Sequence, residues 1–257
     1  MLCAKRKSDG RIVTAYLEEK FHGPFLCVEC GAEVILKTGA QRVTHFAHAN
    51  PDPCRYAEGE SEAHRACKME IFEALRQAPG VRDVALERSL GNVRPDVSAY
   101  IHEVPVAIEV QVSSLPLPTI MRRTIAYAQK GIYVLWLLQW SPELDAQCYT
   151  PTLWEKWIHA AYFGRVYYWV TGLTIASYHF DPHFQTIPKR TWRSERHKKM
   201  TAGGYSRRSK RYRMAIRGDT LNLATDFAPS QRYWWQAKGG LKVPDAKLFM
   251  HRVERLS

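Results

Sequence analysis

Residues 94–111 read R-P-D-V-S-A-Y-I-H-E-V-P-V-A-I-E-V-Q, and this stretch decides the fold. Asp96 stands between Pro95 and Val97 at the start of one apolar run. A turn around His102–Glu103 leads into a second run, 106–112. There Val106, Ile108, Val110 and Val112 alternate with Ala107, Glu109 and Gln111, so Glu109 and Gln111 share one face of a strand. Pairing the two runs as a hairpin carries Asp96 to the same end of the sheet. Two carboxylates converging in apolar surroundings are costly unless they are hydrogen-bonded, paired or holding a cation. A hard divalent ion, Mg²⁺ or Mn²⁺, suits such oxygen donors.

Upstream, E-G-E-S-E-A-H-R-A-C-K-M-E-I-F-E-A-L-R-Q predicts a helix from about Ser61 to Gln77, stopped by Pro79-Gly80. Glu60, His64 and Lys68 are four apart and fall on one face. Alone they read as an ordinary solvated face; directly before the acidic hairpin they become candidate site residues. Strand-like runs follow at 81–90, 93–101 and 106–113. A helix over 119–129 carries Arg123 and Tyr127, and I-Y-V-L-W-L-L after Gly131 reads as a strand covered on both faces. The order αβββαβ predicts a mixed α/β unit with its last two strands joined by a right-handed crossover. Arg123 and Tyr127, one turn apart, either contact a DNA strand or cap the sheet with the Tyr buried.

Before this unit, 1–20 reads as a hairpin about Ser8-Asp9-Gly10. Then come Cys27-x2-Cys30-Gly31 and, fourteen residues on, His45-x2-His48, with Cys54 as a fifth candidate. Two thiolates on a tight turn and a pair of imidazoles can hold one tetrahedral Zn²⁺, with Gly31 supplying the positive φ. Spacing leaves open which four of Cys27, Cys30, His45, His48 and Cys54 bind, and such a four-ligand zinc is structural. Pro51-Asp52-Pro53 separates this module from the helix. After the αβββαβ unit, 152–162 reads as a helix and 165–170 with 174–180 as a hairpin. Their Trp and Tyr residues suit a core better than base stacking. From Lys189 to Arg217 twelve Lys and Arg face one acid, Glu195, and R-R-S-K-R carries Arg207, Arg208, Lys210 and Arg211. This segment is expected to be a partly helical or disordered arm for phosphates.

Composition agrees. In 257 residues, 46% hydrophobic content supports a packed core, and a net charge of +12 points to a polyanionic partner, nucleic acid first and an anionic membrane second. No run of 18 apolar residues predicts membrane insertion, no apolar leader follows the start, and six scattered cysteines do not form a disulfide scaffold. A reducing cytoplasm is the expected location.

P-D-(x12)-E-x-Q in an αβββαβ order resembles the PD-(D/E)xK nuclease superfamily. More specifically, the chain resembles the competence protein CoiA family over residues 25–180. That resemblance rests on C-x2-C-G, H-F-A-H, E-S-x-x-H-x-x-x-K (Glu60, Ser61, His64, Lys68), Asp96, I-E-V-Q-x-S (Ile108–Ser113), R-x-x-x-Y (Arg123, Tyr127) and the Trp136 strand. It implies a restriction-endonuclease-like core with Asp96 and Glu109 binding Mg²⁺, a helical acid, Glu60, assisting, and a small zinc-binding module ahead of it. Gln111 stands where the superfamily carries Lys, so His64 or Lys68 is expected to supply the missing proton or cation. The resemblance further implies handling of DNA, single-stranded or branched, in transformation or recombination, with a recombinase-type protein partner. The expected divisions are 1–56 (hairpin and zinc module), 57–140 (nuclease-like core), 141–185 (aromatic extension) and 186–257 (basic region). The competing class is a DNA-binding, recombinase-assisting factor on a nuclease-like fold that does not cleave.

Overall fold

A computed structural model describes residues 1–39, 42–50, 54, 60–112, 115–236 and 240–252. Pro51-Asp52-Pro53 and Ser113 therefore lie outside the described residues. The chain forms a small sheet followed by a large one, with two separate apolar clusters beneath them.

The small sheet has strand order β2-β1-β3-β4-β5, from β1 (Cys3–Arg6), β2 (Ile12–Thr14), β3 (Phe25–Leu26), β4 (Glu33–Lys37) and β5 (His45–His48). β4 alternates exposed and buried residues, and its inward Val34 and Leu36 meet Phe25 and Phe46 in a core of their own. The β1–β2 hairpin is the one expected around Ser8-Asp9-Gly10.

α1 (Glu62–Gln77) starts where the side chain of Ser61 accepts the N–H of His64 and ends before Pro79. Gly80 then turns with φ +74°, and the ring of His102 lies 2.7 Å from where a Cβ would stand, so the turn admits no side chain. β6 (Val81–Leu86), β7 (Val97–Ile101) and β8 (Val104–Gln111) are antiparallel neighbours. α2 (Leu117–Gln129) then crosses to β9 (Tyr133–Gln139), parallel to β8. The helix, three-strand, helix, strand order is the one expected.

The hairpin register is Val97↔Ile108 and Ser98↔Ala107, which brings Asp96 opposite Glu109. β8 is buried on both faces: Val106, Ala107, Ile108, Glu109 and Val110 are all inside. Helix α2 covers the Glu109 side, where the Trp136 indole N–H donates to Thr124 at 3.1 Å.

The sheet continues through α3 (Leu153–Ala161) to β10 (Val166–Thr171), parallel to β9, and to β11 (Thr174–Ile187), antiparallel to β10. Trp157, Tyr162, Tyr167, Tyr168 and Tyr178 fill the core, as expected for this aromatic-rich segment. The basic region is not a helical or disordered arm. It forms strands: β12 (Arg190–Arg193) pairs β13 (Lys199–Ala202), and β14 (Tyr205–Asn222) pairs β11 along twelve positions. Alternating apolar and hydroxyl side chains between the cations (Tyr205, Tyr212, Met214, Ile216) fit a pleated ribbon better than a solvated helix. β15 (Phe227–Arg232), β16 (Trp235–Gln236), β17 (Lys242–Val243) and β18 (Ala246–His251) follow, and β18 returns to lie parallel beside β9. The boundaries expected at 140 and 185 thus fall inside one sheet. Among the described residues no helix is long and apolar enough to cross a membrane.

Candidate functional site

α1 lays its first two turns against the β7–β8 hairpin and delivers His64 and Lys68, with Glu60 just ahead of its Ser61 cap. The His64 ring stands between two carboxylates, with Nδ1 3.2 Å from Glu60 and Nε2 3.3 Å from Asp96. The donor atoms of Glu60, His64 and Asp96 all lie within 4.8 Å of one another, close enough to share one cation. The same Oδ2 that faces His64 also accepts the backbone N–H of Val110 at 2.9 Å, which fixes the angle of the carboxylate. The turn from residue 94 into β7 and the register of β8 therefore jointly place this carboxylate.

Lys68, one turn further along α1, is 2% exposed, and its ammonium is surrounded by acids. It bonds Glu60, lies 2.7 Å from Glu87 and 3.6 Å from Asp96. Burial works against its charge, but Glu87, Asp96 and Glu60 together hold its pKa above the ordinary lysine value. The same pairing acts in reverse on the acids. Against burial, Lys68 and Arg94 pull Glu87 down to about 2, and Lys68 and His64 hold Asp96 well below the usual carboxylate range. Lys68 is thus a fixed positive charge beside the acids.

Glu87 was not among the expected residues. It leaves the end of β6 with φ +46°, an uncommon conformation for Glu. Its carboxylate accepts the backbone N–H groups of Leu2 and Cys3, at 3.1 to 3.2 Å, as well as Lys68. One buried side chain therefore ties the small sheet to the site. The only sequence signal was a Glu at the point where the run 81–90 loses its alternation.

Glu109 is 1% exposed, and its Oε1 accepts both the Arg123 guanidinium and the Tyr127 hydroxyl. Burial, opposed by Arg123, pushes its pKa up to about 7. Glu109 is not one of the three converging donors; α2 engages it from the other side. Of the two readings for Arg123 and Tyr127, the structure takes the second for Tyr127. The ring is fully buried and meets Glu109, so it cannot meet a DNA strand. Arg123 also donates to the Arg94 carbonyl at 2.9 Å and, with Arg94 and Arg122, lines a 460 Å³ cleft whose opposite wall includes Val28 and Glu29 of the cysteine turn. Gln111, at the end of β8, lines a separate cleft with Leu138 and Tyr168. Arg207, Arg208, Lys210 and Arg211 are exposed on β14 and belong to neither cleft.

In the small sheet, Cys27, Cys30, His48 and Cys54 bring their donor atoms within 4.8 Å of one another. Cys30 Sγ lies 3.3 Å from His48 Nε2, and Cys27 Sγ 4.0 Å from Cys54 Sγ. Gly31 turns with φ +75°, as expected, and lets Cys27 bond back to Ala32 and Gly31. The N–H of Ala32 and the His48 ring draw the Cys30 thiol down to about 7, a direction that favours the thiolate a metal requires. His45 is outside this group. On a strand, residues three apart face opposite ways, and the His45 Nδ1–H donates to the Val43 carbonyl at 2.8 Å. Cys54 takes the place that the H-x2-H spacing offered to His45.

A mixed α/β core with acids, an imidazole and a buried lysine gathered beside one hairpin defines the class as a protein with a nuclease-like domain. Residues 60–154, from Glu60 past Tyr127, match the nuclease-like domain of competence protein CoiA, and residues 13–57 match its N-terminal domain. Competence protein CoiA of Bacillus subtilis (strain 168) is 31% identical over 125 residues, covering 46% of this chain and 32% of that protein. The chain belongs to the CoiA-like family. No solved structure matches it.

Proposed function

We propose that the chain is a divalent-metal-dependent deoxyribonuclease of restriction-endonuclease-like fold that acts on DNA in competence. What supports this most is the convergence of Glu60, His64 and Asp96 within 4.8 Å beside a buried Lys68. A protein that only binds phosphates gains nothing from acids presented to them.

The donor set fits a divalent ion: two carboxylates with one imidazole already aimed between them. When bound, that ion would polarise a water and neutralise the scissile phosphate. Glu60, His64 and Asp96 would hold it. Mg²⁺ takes oxygen donors, so the imidazole makes Mn²⁺ the better match. Lys68 holds Asp96 ionised and supplies the positive charge that Gln111 cannot. Its position on α1 replaces a lysine two residues after Glu109. His64 Nε2, 3.3 Å from Asp96, orients that carboxylate toward the shared cation position. Glu109 joins the site as a further donor by giving up Arg123 or Tyr127. The cleft lined by Arg94, Arg122 and Arg123 carries the backbone of a DNA strand past these groups. Cys27, Cys30, His48 and Cys54 hold one structural Zn²⁺ that fixes the wall of that cleft.

One observation favours a second reading, a DNA-handling factor that assists a recombinase without cleaving. Lys68 already neutralises Glu60 and Asp96, as a retired site would require. The test is labelled single- and double-stranded DNA with Mn²⁺ or Mg²⁺, beside Asp96→Ala. The expected outcome is metal-dependent cleavage, higher with Mn²⁺ and at least a hundredfold lower in the variant. Binding without cleavage by the parent protein would overturn the nuclease reading in favour of the second.

A further inference from the structure

Beyond Tyr178, β10 no longer pairs with β11, and from residue 184 outward β11 has β14 as its partner. The pair projects as a two-stranded ribbon, extended at its tip by β12 and β13. A lone ribbon is marginal in water, and this one also carries large apolar groups in the open. Phe184 is 61% exposed, Tyr205 54% and Trp192 48%. Each aromatic has a cation near it on its own face. Phe184 pairs directly with Arg208, Trp192 lies two residues from Arg190 along β12, and Tyr205 is two residues from Arg207 along β14. The two faces of the ribbon repeat the same composition, aromatic and guanidinium, with Glu195 the one acid between Lys189 and Arg217.

At the root of the ribbon is a 660 Å³ cavity. Leu117, Met121 and Phe180 make its apolar side, and Lys156, Arg208 and Arg213 stand on its edge. Its volume is within the roughly 300–1,000 Å³ of small-ligand sites, which are apolar within and carry a few placed polar groups. Leu117 and Met121 lie on α2, the helix whose Arg122 and Arg123 line the cleft beside the acids. The cavity and the arginine-lined cleft thus share one helix, α2.

We propose that the ribbon and the cavity at its root are a binding site for single-stranded DNA, separate from the catalytic cleft. The aromatics stack on unpaired bases, the arginines follow the backbone, and the cavity takes one base turned out of the strand. Duplex bases are stacked on one another and offer no free face to Phe184, Trp192 or Tyr205, whereas a single strand does. Charge selects a polyanion; the interleaved aromatics select an unpaired one. The proposal rests on the DNA-handling reading above but does not require cleavage.

The test is anisotropy of labelled oligo(dT) and of a duplex of matched length, both in EDTA over a range of salt. Oligo(dT) is expected to bind at least about tenfold more tightly than the duplex. Phe184→Ala/Trp192→Ala/Tyr205→Ala should weaken oligo(dT) by about tenfold or more and leave the salt slope unchanged. Arg207→Ala/Arg208→Ala should lower that slope by about 1.4. These side chains are exposed, so unchanged circular dichroism and melting will show that both variants fold. Equal affinity for duplex and single strand, or an aromatic variant that binds oligo(dT) like the parent, would overturn the proposal. A protein that binds oligo(dT) as expected but cuts neither single- nor double-stranded DNA with Mn²⁺ or Mg²⁺ would sink the nuclease reading alone.

Discussion

Glu87 carries more of the structure than any other residue the sequence left unremarked. It compensates the Lys68 ammonium, draws in Arg94 at 3.5 Å and accepts the backbone N–H groups of Leu2 and Cys3. Its pKa falls from 4.5 in the unfolded chain to about 2 in the folded one. The stabilisation is therefore complete above pH 4.5 and is lost as pH falls through 2, roughly 3 kcal/mol by linkage. Glu87→Gln is expected to destabilise the protein by about that amount at pH 7 and to narrow its gap from the parent at pH 3; urea unfolding at the two pH values checks both. Glu60, His64, Lys68, Asp96 and Glu109 were legible because spacing on one helix and alternation on one strand are local patterns. The partners of Glu87 are 19 and 85 positions away, and its left-handed turn has no glycine to announce it.

At the level of elements, α1, β6 to β8, α2 and β9 were each visible from periodicity and from their stops at Pro79-Gly80 and Gly131. At the cysteine turn the spacing left open which four of five side chains gather, and the strand geometry of β5 decides it. On a helix or loop H-x2-H can bring both rings together; on β5 it sends His45 and His48 to opposite faces. His48→Ala and Cys54→Ala should therefore each lose bound zinc, while His45→Ala keeps it, with metal content by mass spectrometry as the readout. In the basic region, twelve cations suggested a solvated arm, but the pairing partner that makes 205–222 a strand is β11, and no local pattern names a partner.

The whole molecule is organised by β9. It pairs with β8 on one side and β10 on the other, and β18 returns from the far end of the chain to lie beside it. The large apolar cluster accordingly runs from Leu2 to Met250. A fragment ending at residue 140 would strip β10, β11 and β18 from the sheet and expose the edge of β9. It is expected to be unfolded or aggregated, with poor dispersion in a ¹H–¹⁵N spectrum where the full chain is dispersed. The boundary expected there followed the end of the αβββαβ unit, whereas the sheet continues past it through β10, β11 and β14.

The Val110 amide sits in the middle of this sheet and is held by the carboxylate of Asp96 rather than by a strand neighbour alone. A proposed ligand thus serves as the lid on a central backbone proton. Whatever swings Asp96 away from β8, whether an ion, a substrate phosphate or a substitution, also uncovers that proton. The rate at which Val110 trades its hydrogen for deuterium is consequently a clock for the posture of the site, legible in a protein that is neither bound nor turning over.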